Sequence, residues 1–299
     1  MKSRRKQKTI TKIKKHKNTM KKSHCAPDAN NPNNSTCYSN KKLMKLRNYW
    51  NARHPDAKIK THDSQKIWHE LRKNMSGTCN TEQCWLKQQF VAETGDSDLL
   101  NYTFAPESPQ VWRTNPNEWL NSTDIENVMR QYEHAYPCFQ FLGPSPIDFD
   151  KKQSKTKCVW DELCNFDLKA HLHKGCNKIG IIFNTDPHYK SGSHWISLFI
   201  NTKRGYVYFF DSVGDPAPKE VNQLIDRIID QSKEQGIEMA RLDNKTRHQR
   251  SNTECGMYSL YFIIQSLKDI HPEKKMSERI PDKEMERFRE IYFNPSHQL

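Results

Sequence analysis

The run CGMYSLYFIIQSL, residues 255–267, constrains this chain more than any other stretch. Met257, Tyr258, Leu260, Tyr261, Phe262, Ile263, Ile264 and Leu267 make it apolar almost all round, so a helix here has to be enclosed on every side. It falls short of the roughly 18 residues that a membrane span needs. The enclosure therefore has to come from the rest of the protein. A buried helix also carries its unpaired first-turn N–H groups inward, and here they sit at Cys255. A thiolate at that position is favoured by the helix dipole and by those donors. The competing reading is an inert cysteine packed in the core.

The segments able to enclose such a helix alternate between helical and strand patterns. NEWLNSTDIENVMRQYEHAY places Ile125, Val128, Met129 and Tyr132 on one face. KIGIIFN (178–184), HWISLFI (194–200) and GYVYFFDS (205–212) read as strands, the last two joined by the turn NTKRG. PKEVNQLIDRIIDQSKEQG has an apolar stripe of Val221, Leu224, Ile225, Ile228 and Ile229 between Pro218 and Gly236, and IEMARL reads as a further strand. With strands grouped along the chain, the expected class is α+β.

The remaining groups needed for thiol chemistry follow from the hairpin. His194 opens one strand after the loop DPHYKSGS, and Asp211 ends the next after an apolar run, where a carboxylate is costly to bury without a partner. In an antiparallel pair the start of one strand and the end of the other share an edge, so His194 and Asp211 are expected to meet as base and orienter. Gln249, in the polar loop before Cys255, is the expected oxyanion donor. His248 is an alternative base by proximity, ranked lower because it has no evident carboxylate partner.

The order HW, then FFDS, then Q followed after five residues by CG at an apolar helix resembles the ubiquitin-like-protein-specific (SUMO) protease and adenovirus-type endopeptidase group of cysteine peptidases. EWLNSTDIENVM is similar to that group's Trp-Leu-Asn entry to its first catalytic-domain helix, although Ser122 and Thr123 come before Asp124 where the group commonly has the acid at once. The basic arm, the helical extension and FQFLGPSPIDFD resemble the processing proteases of large DNA viruses. This resemblance implies a papain-like α+β fold with its catalytic residues in the order His194, Asp211, Cys255, and Gln249 as oxyanion donor. It also implies a narrow channel for a Gly-Gly substrate tail, flanked by Trp195, with Trp119 and Gly256 as further substrate-binding residues. The expected activity is cleavage after Gly-Gly-type sequences, in the maturation of viral structural polyproteins. Removal of SUMO-like modifiers is the alternative.

Charge divides the chain. Residues 1–27 hold 11 of the 48 Lys and Arg and no acid, leaving 37 basic against 35 acidic groups over residues 28–299. The arm suits a nucleic-acid tether or a nuclear address, or is simply a solvated tail. The expected organisation is an unstructured basic arm over 1–42, a helical extension over 43–105 and a catalytic domain over 106–299. In the extension Trp50, Trp68 and Trp85 are expected in the core, and Asn80 with Gln83 as a capping pair.

The basic start has no apolar region after it, so no signal peptide is expected, and the protein is placed inside cells, in a virion or host cytoplasm, with the nucleus as an alternative. Nine cysteines without such a signal argue against a disulfide framework. Cys158, Cys164, His171, His173 and Cys176 are chemically suited to zinc but lack paired short spacings, so no metal or other cofactor is expected. Rival classes are a nucleic-acid-binding protein acting through the arm and an acyltransferase using the same thiol. Oligomeric state is not legible in these residues.

Overall fold

The computed structural model describes residues 20–28, 35–268 and 272–296. These cluster into two compact units, one of residues 20–23 with 38–95 and the other of 24–28 and 35–37 with residues from 96 onward. Most of the basic arm lies outside the described residues.

The first unit is helical: α1 (Asn40–Arg53), α2 (Ser64–Met75), α3 (Gln83–Leu86) and α4 (Gln89–Ala92). Ser39 and Asp63 cap α1 and α2 by accepting the N–H groups of Lys42 and Lys66. Leu43, Leu46, Ile67, Leu71, Trp85 and Val91 form the interior, and Trp50 is buried as expected. Trp68 is only partly buried, and its indole bonds Glu82. At α3 the hydroxyl of Thr81, not the expected Asn80–Gln83 pair, accepts a helix N–H, that of Cys84 at 3.2 Å.

The second unit adds α5 (Ser97–Asn101), a 3-10 turn (Gln110–Arg113), α6 (Ser122–Ala135), β1 (Phe139–Pro146), α7 (Asp161–Cys164), α8 (Leu168–His173), β2 (Lys178–Asn184), β3 (Trp195–Asn201), β4 (Tyr206–Phe210), α9 (Lys219–Glu234), β5 (Ala240–Asp243), α10 (Cys255–Leu267), α11 (Pro272–Met276) and α12 (Asp282–Tyr292). The five strands lie side by side in chain order. The outer pairs, β1 with β2 and β4 with β5, are parallel, and the inner pairs are antiparallel.

Alternation along the strands gives each face of the sheet its own core. Trp195 and Phe199 of β3 with Tyr206, Tyr208 and Phe210 of β4 pack toward α6, α10 and α12, while Ile196, Leu198, Ile200, Val207 and Phe209 pack toward α7, α8 and α9. All of α10 is buried, as its composition demands. Mixed helices on a mixed sheet make this the expected α+β, papain-like class.

Two features differ from expectation. The contact boundary lies at 95/96, not 105/106, because Gln131 of α6 donates to the carbonyls of Asn101 and Phe104, and Leu99 is buried. Residues 24–26, inside the expected unstructured arm, are held in place. His24 N–H donates to Asn294 Oδ1 at 2.7 Å, and Ala26 N–H to the Thr103 carbonyl at 3.1 Å.

Disulfides are present, contrary to expectation: Cys25–Cys37, Cys79–Cys84 and Cys158–Cys164. Each closes a short local loop, with separations of 12, 5 and 6 residues, so counting thiols as a long-range framework does not detect them. Two of the zinc candidates are thereby committed to each other, and His171 Nδ1 pairs with Gln140 Oε1 at 2.8 Å. Among the described residues no group of three or more His, Cys, Asp or Glu is arranged to hold a metal ion, and no helix is long and apolar enough to cross a membrane.

Candidate active site

Three parts of the chain meet at the open end of the β3–β4 hairpin. The turn at the other end is closed by Gly205, whose φ of +67° favours glycine, and by Asn201 Oδ1 accepting the Arg204 N–H at 3.1 Å. At the open end the ladder stops at the pair Ser197 and Phe210. Strict continuation would put residue 194 opposite 213, so His194 and Asp211 are diagonal neighbours, still within reach of each other. His194 Nε2 lies 2.7 Å from Asp211 Oδ1.

Asp211 is 5% exposed and held from several sides. Its Oδ1 also accepts the Val213 N–H at 3.0 Å, and its carbonyl accepts the amide of Asn244 at 2.6 Å. Neither Val213 nor Asn244 was singled out from the sequence.

Cys255 also lies near enough to His194 to act on its protonation. With Nε2 engaged by Asp211, Nδ1 is the ring nitrogen left for the sulfur. Burial works against a charged ring here. The hydrogen bond with Asp211 and then the interaction with Cys255, together with their charges, outweigh it and push His194 up to about 10. Cys255 itself is 2% exposed, in the first turn of α10.

Gln249 is buried on the loop leading to α10. Its Oε1 accepts the Ser212 hydroxyl at 2.6 Å and its Nε2 donates to the Ser251 carbonyl at 2.7 Å. One amide hydrogen remains for another acceptor. The backbone N–H groups of His248 and Gln249 both donate to the Ser212 carbonyl at 2.9 Å, which ties this loop to the residue after Asp211.

His248 is fully buried and has both nitrogens occupied, Nδ1 accepting the Ile280 N–H at 3.1 Å and Nε2 lying 3.3 Å from Asn244 Oδ1. Burial, then the charge of Arg279, depress it to about 4. It is a neutral structural histidine, in line with its low rank as a base.

Of the expected substrate-binding residues, Gly256 follows the cysteine and packs against Leu120 and Trp195. A Cβ on Gly256 would lie 3.1 Å from Leu120 Cβ and 3.2 Å from Trp195 Cδ1, so a larger residue there has little room. Trp195 is buried and donates its indole N–H to the Leu120 carbonyl at 3.0 Å. Next to Leu120, Trp119 is exposed. Asp124 is absorbed by structure: with Asn121 it forms a reciprocal capping box at the start of α6.

Sequence reading missed a buried ion pair beside the cysteine, Glu254 with Arg289 of α12. Its only sequence signal was an acid directly before Cys255.

Comparison with known proteins bears on the family and the fold. The profile of the Ulp1 protease family, C-terminal catalytic domain, matches residues 146–298. The chain is similar to a thiol protease of Acanthamoeba polyphaga mimivirus, with 29% identity over 290 residues covering 90% of this chain and 92% of the other. It is also similar to a SUMO-1 cysteine protease of African swine fever virus, with 28% identity over 251 residues covering 77% and 90%. In fold it matches the crystal structure of an African swine fever virus protease with a TM-score of 0.63 over 93% of this chain and 98% of that one, at 24% identity. With the family profile spanning half of its length, the chain belongs to the Ulp1 protease family and is a cysteine peptidase.

Proposed function

We propose that this peptidase cleaves after Gly-Gly-type sequences, with Cys255 as nucleophile, His194 as general base and acid, Asp211 as its orienter and Gln249 as oxyanion donor, and that it matures viral structural precursors. The observation that carries the reading is the His194 imidazole bonded to the Asp211 carboxylate at 2.7 Å, with the Cys255 thiol at the start of α10 near enough to favour its protonated form.

The cycle begins with His194 taking the thiol proton of Cys255 as the sulfur bonds to the scissile carbonyl carbon and the carbonyl electron pair moves to oxygen. The remaining amide hydrogen of Gln249 and the N–H of Cys255 are the donors for that oxygen. His194 then gives its proton to the leaving amine as the C–N bond breaks. Water, deprotonated by His194, attacks the resulting thioester, and the sulfur leaves as the carboxylate forms. Asp211 holds the ring orientation throughout.

A preference for glycine is supported by the tight packing of Gly256, next to Cys255, against Leu120 and Trp195, which leaves little room for substrate side chains there. Viral thiol proteases among the relatives support the maturation role. The relative named a SUMO-1 cysteine protease favours a second reading, removal of a SUMO-like modifier.

Two probes separate the readings: Gly-Gly-X peptides and a SUMO carrying a C-terminal electrophile. Peptide turnover that disappears in Cys255→Ser is the expected result. Labelling by the SUMO probe without peptide turnover would establish the second reading instead. Nucleic-acid binding through residues 1–27 is proposed only as an accessory, checked by a steep fall of DNA affinity with salt.

A further inference from the structure

We propose that Arg289 is a positioning residue that holds both rims of the Cys255 groove at once, so that an extended substrate depends on it far more than a small electrophile does. This rests on the reading of Cys255 as nucleophile.

Arg289 and Glu254 are 5% and 1% exposed. Nε and Nη2 of Arg289 each reach one carboxylate oxygen of Glu254 at 2.9 Å. Nη2 also donates to the Thr253 carbonyl at 3.2 Å, which secures the segment entering Cys255. Nη1 donates to the Glu118 carbonyl at 2.7 Å and approaches that of Pro116 at 3.4 Å, securing the segment entering Trp119 and Leu120. The guanidinium carbon lies 4.4 Å from the ring centroid of Trp112, whose indole N–H donates to the same Glu118 carbonyl at 3.0 Å.

The two rims also meet on the far side, where Leu120 accepts from Trp195 and crowds Gly256. The backbone around Cys255 is therefore tied into a closed circuit: Arg289, residues 116–120, Trp195 with Gly256, Cys255, Glu254 and Arg289 again.

Stability alone does not account for such a group. A buried ion pair is often no better for the fold than a well-packed hydrophobe of the same volume. A hydrophobe, however, cannot donate to carbonyls on two segments, and lysine has three donors at one point where arginine has five in a plane. The geometry uses that plane, with the carboxylate on one edge and the carbonyls on the others. Arg289 has no bond to His194, Asp211 or Cys255, so its effect on the reaction runs through the backbone that it holds.

The experiment uses the full chain with Arg289→Lys and Glu254→Gln, compared with wild type in three readouts: kcat and KM on a Gly-Gly-X peptide, the iodoacetamide alkylation rate of Cys255 followed by mass spectrometry, and the melting midpoint. Arg289→Lys is expected to lose about 10- to 100-fold in kcat/KM, mostly in kcat, because displacement of about 1 Å at a reacting centre has effects of that order. Its alkylation rate stays within about threefold of wild type, since a small reagent needs only the thiol. Glu254→Gln, which keeps the shape and removes only the charge, is expected to lose about 3- to 10-fold in turnover with the same alkylation, and it decides the matter if the lysine variant does not fold. Wild-type turnover in the folded variants, or turnover and alkylation falling in equal proportion, overturns the proposal. Full turnover in Cys255→Ser would instead show that the nucleophile reading has failed, independently of the clamp.

Discussion

Two histidines flank the turn that follows β4, and they have opposite chemistry. His194 is partly exposed, bonds the Asp211 carboxylate, lies near the Cys255 thiol, and is pushed up to about 10. His248 is enclosed by Phe210 and Tyr258, uses both nitrogens in neutral hydrogen bonds, and is depressed to about 4. His248 is seven residues from the cysteine in sequence and His194 is sixty-one away. The nearby one serves the fold and the distant one serves the site, because the partners of an imidazole, not its distance along the chain, decide which protonation state is favoured.

The strongest break of this comparison is deletion of each ring. His194→Ala is expected to lower kcat by on the order of 10²- to 10⁴-fold, the usual contribution of a general base. His248→Asn is expected to keep turnover within about threefold and to lower the melting midpoint, since it removes a buried, hydrogen-bonded ring and not a reacting group. Steady-state kinetics alongside thermal melts check both. Equal kinetic damage from the two would erase the distinction. Asp211→Asn is expected to come next, with a loss of about 10²-fold or more in kcat, and it should bring the His194 titration down by removing the first of the groups that raise it.

Much of this site was legible before the fold was known, for identifiable reasons. Cys255, His194 and Asp211 each sit at the boundary of a periodic pattern, where a side chain can serve something other than the core, and Gln249 lies in the polar loop that leads into one. The hairpin brought two of them together through local pairing alone, although the register made the pair diagonal. β1 was not read as a strand, because Pro144 and Pro146 break its pattern; the strand lies at the edge of the sheet, with an irregular register between Leu142 and Ser145, where prolines are tolerated. The Arg289–Glu254 clamp was illegible because its members are 35 residues apart on different elements, and nothing in local patterning signals a buried ion pair. The disulfides escaped because a count of thiols carries no geometry.

A subtler contrast lies in stability against pH. The folded-state value of His248 is below the value of about 6.5 of an unfolded imidazole, so the unfolded chain binds the extra proton first. The contribution is fully present above about pH 6.5 and is lost as pH falls toward 4, amounting to on the order of 3 kcal/mol. For His194 the sign reverses: its contribution is complete below about 6.5 and is lost as pH rises toward 10. Urea denaturation across pH 4 to 10 should show His248→Asn flattening the acid side and His194→Ala the alkaline side. If each variant flattens the opposite limb, the assigned directions are wrong.

The smallest expected effect isolates fold from chemistry. Asn121→Ala removes half of the capping box of α6 and should cost about 1 kcal/mol, leaving the titrations of both histidines unchanged.

The central claim is that one imidazole is shared between a carboxylate and a thiol, and NMR titration of His194 in wild type and in Cys255→Ala tests it most directly. The account predicts a wild-type midpoint near 10 that drops in the variant, because Cys255 is one of the two groups raising it. A midpoint near 6.5 that is the same in both proteins would contradict it.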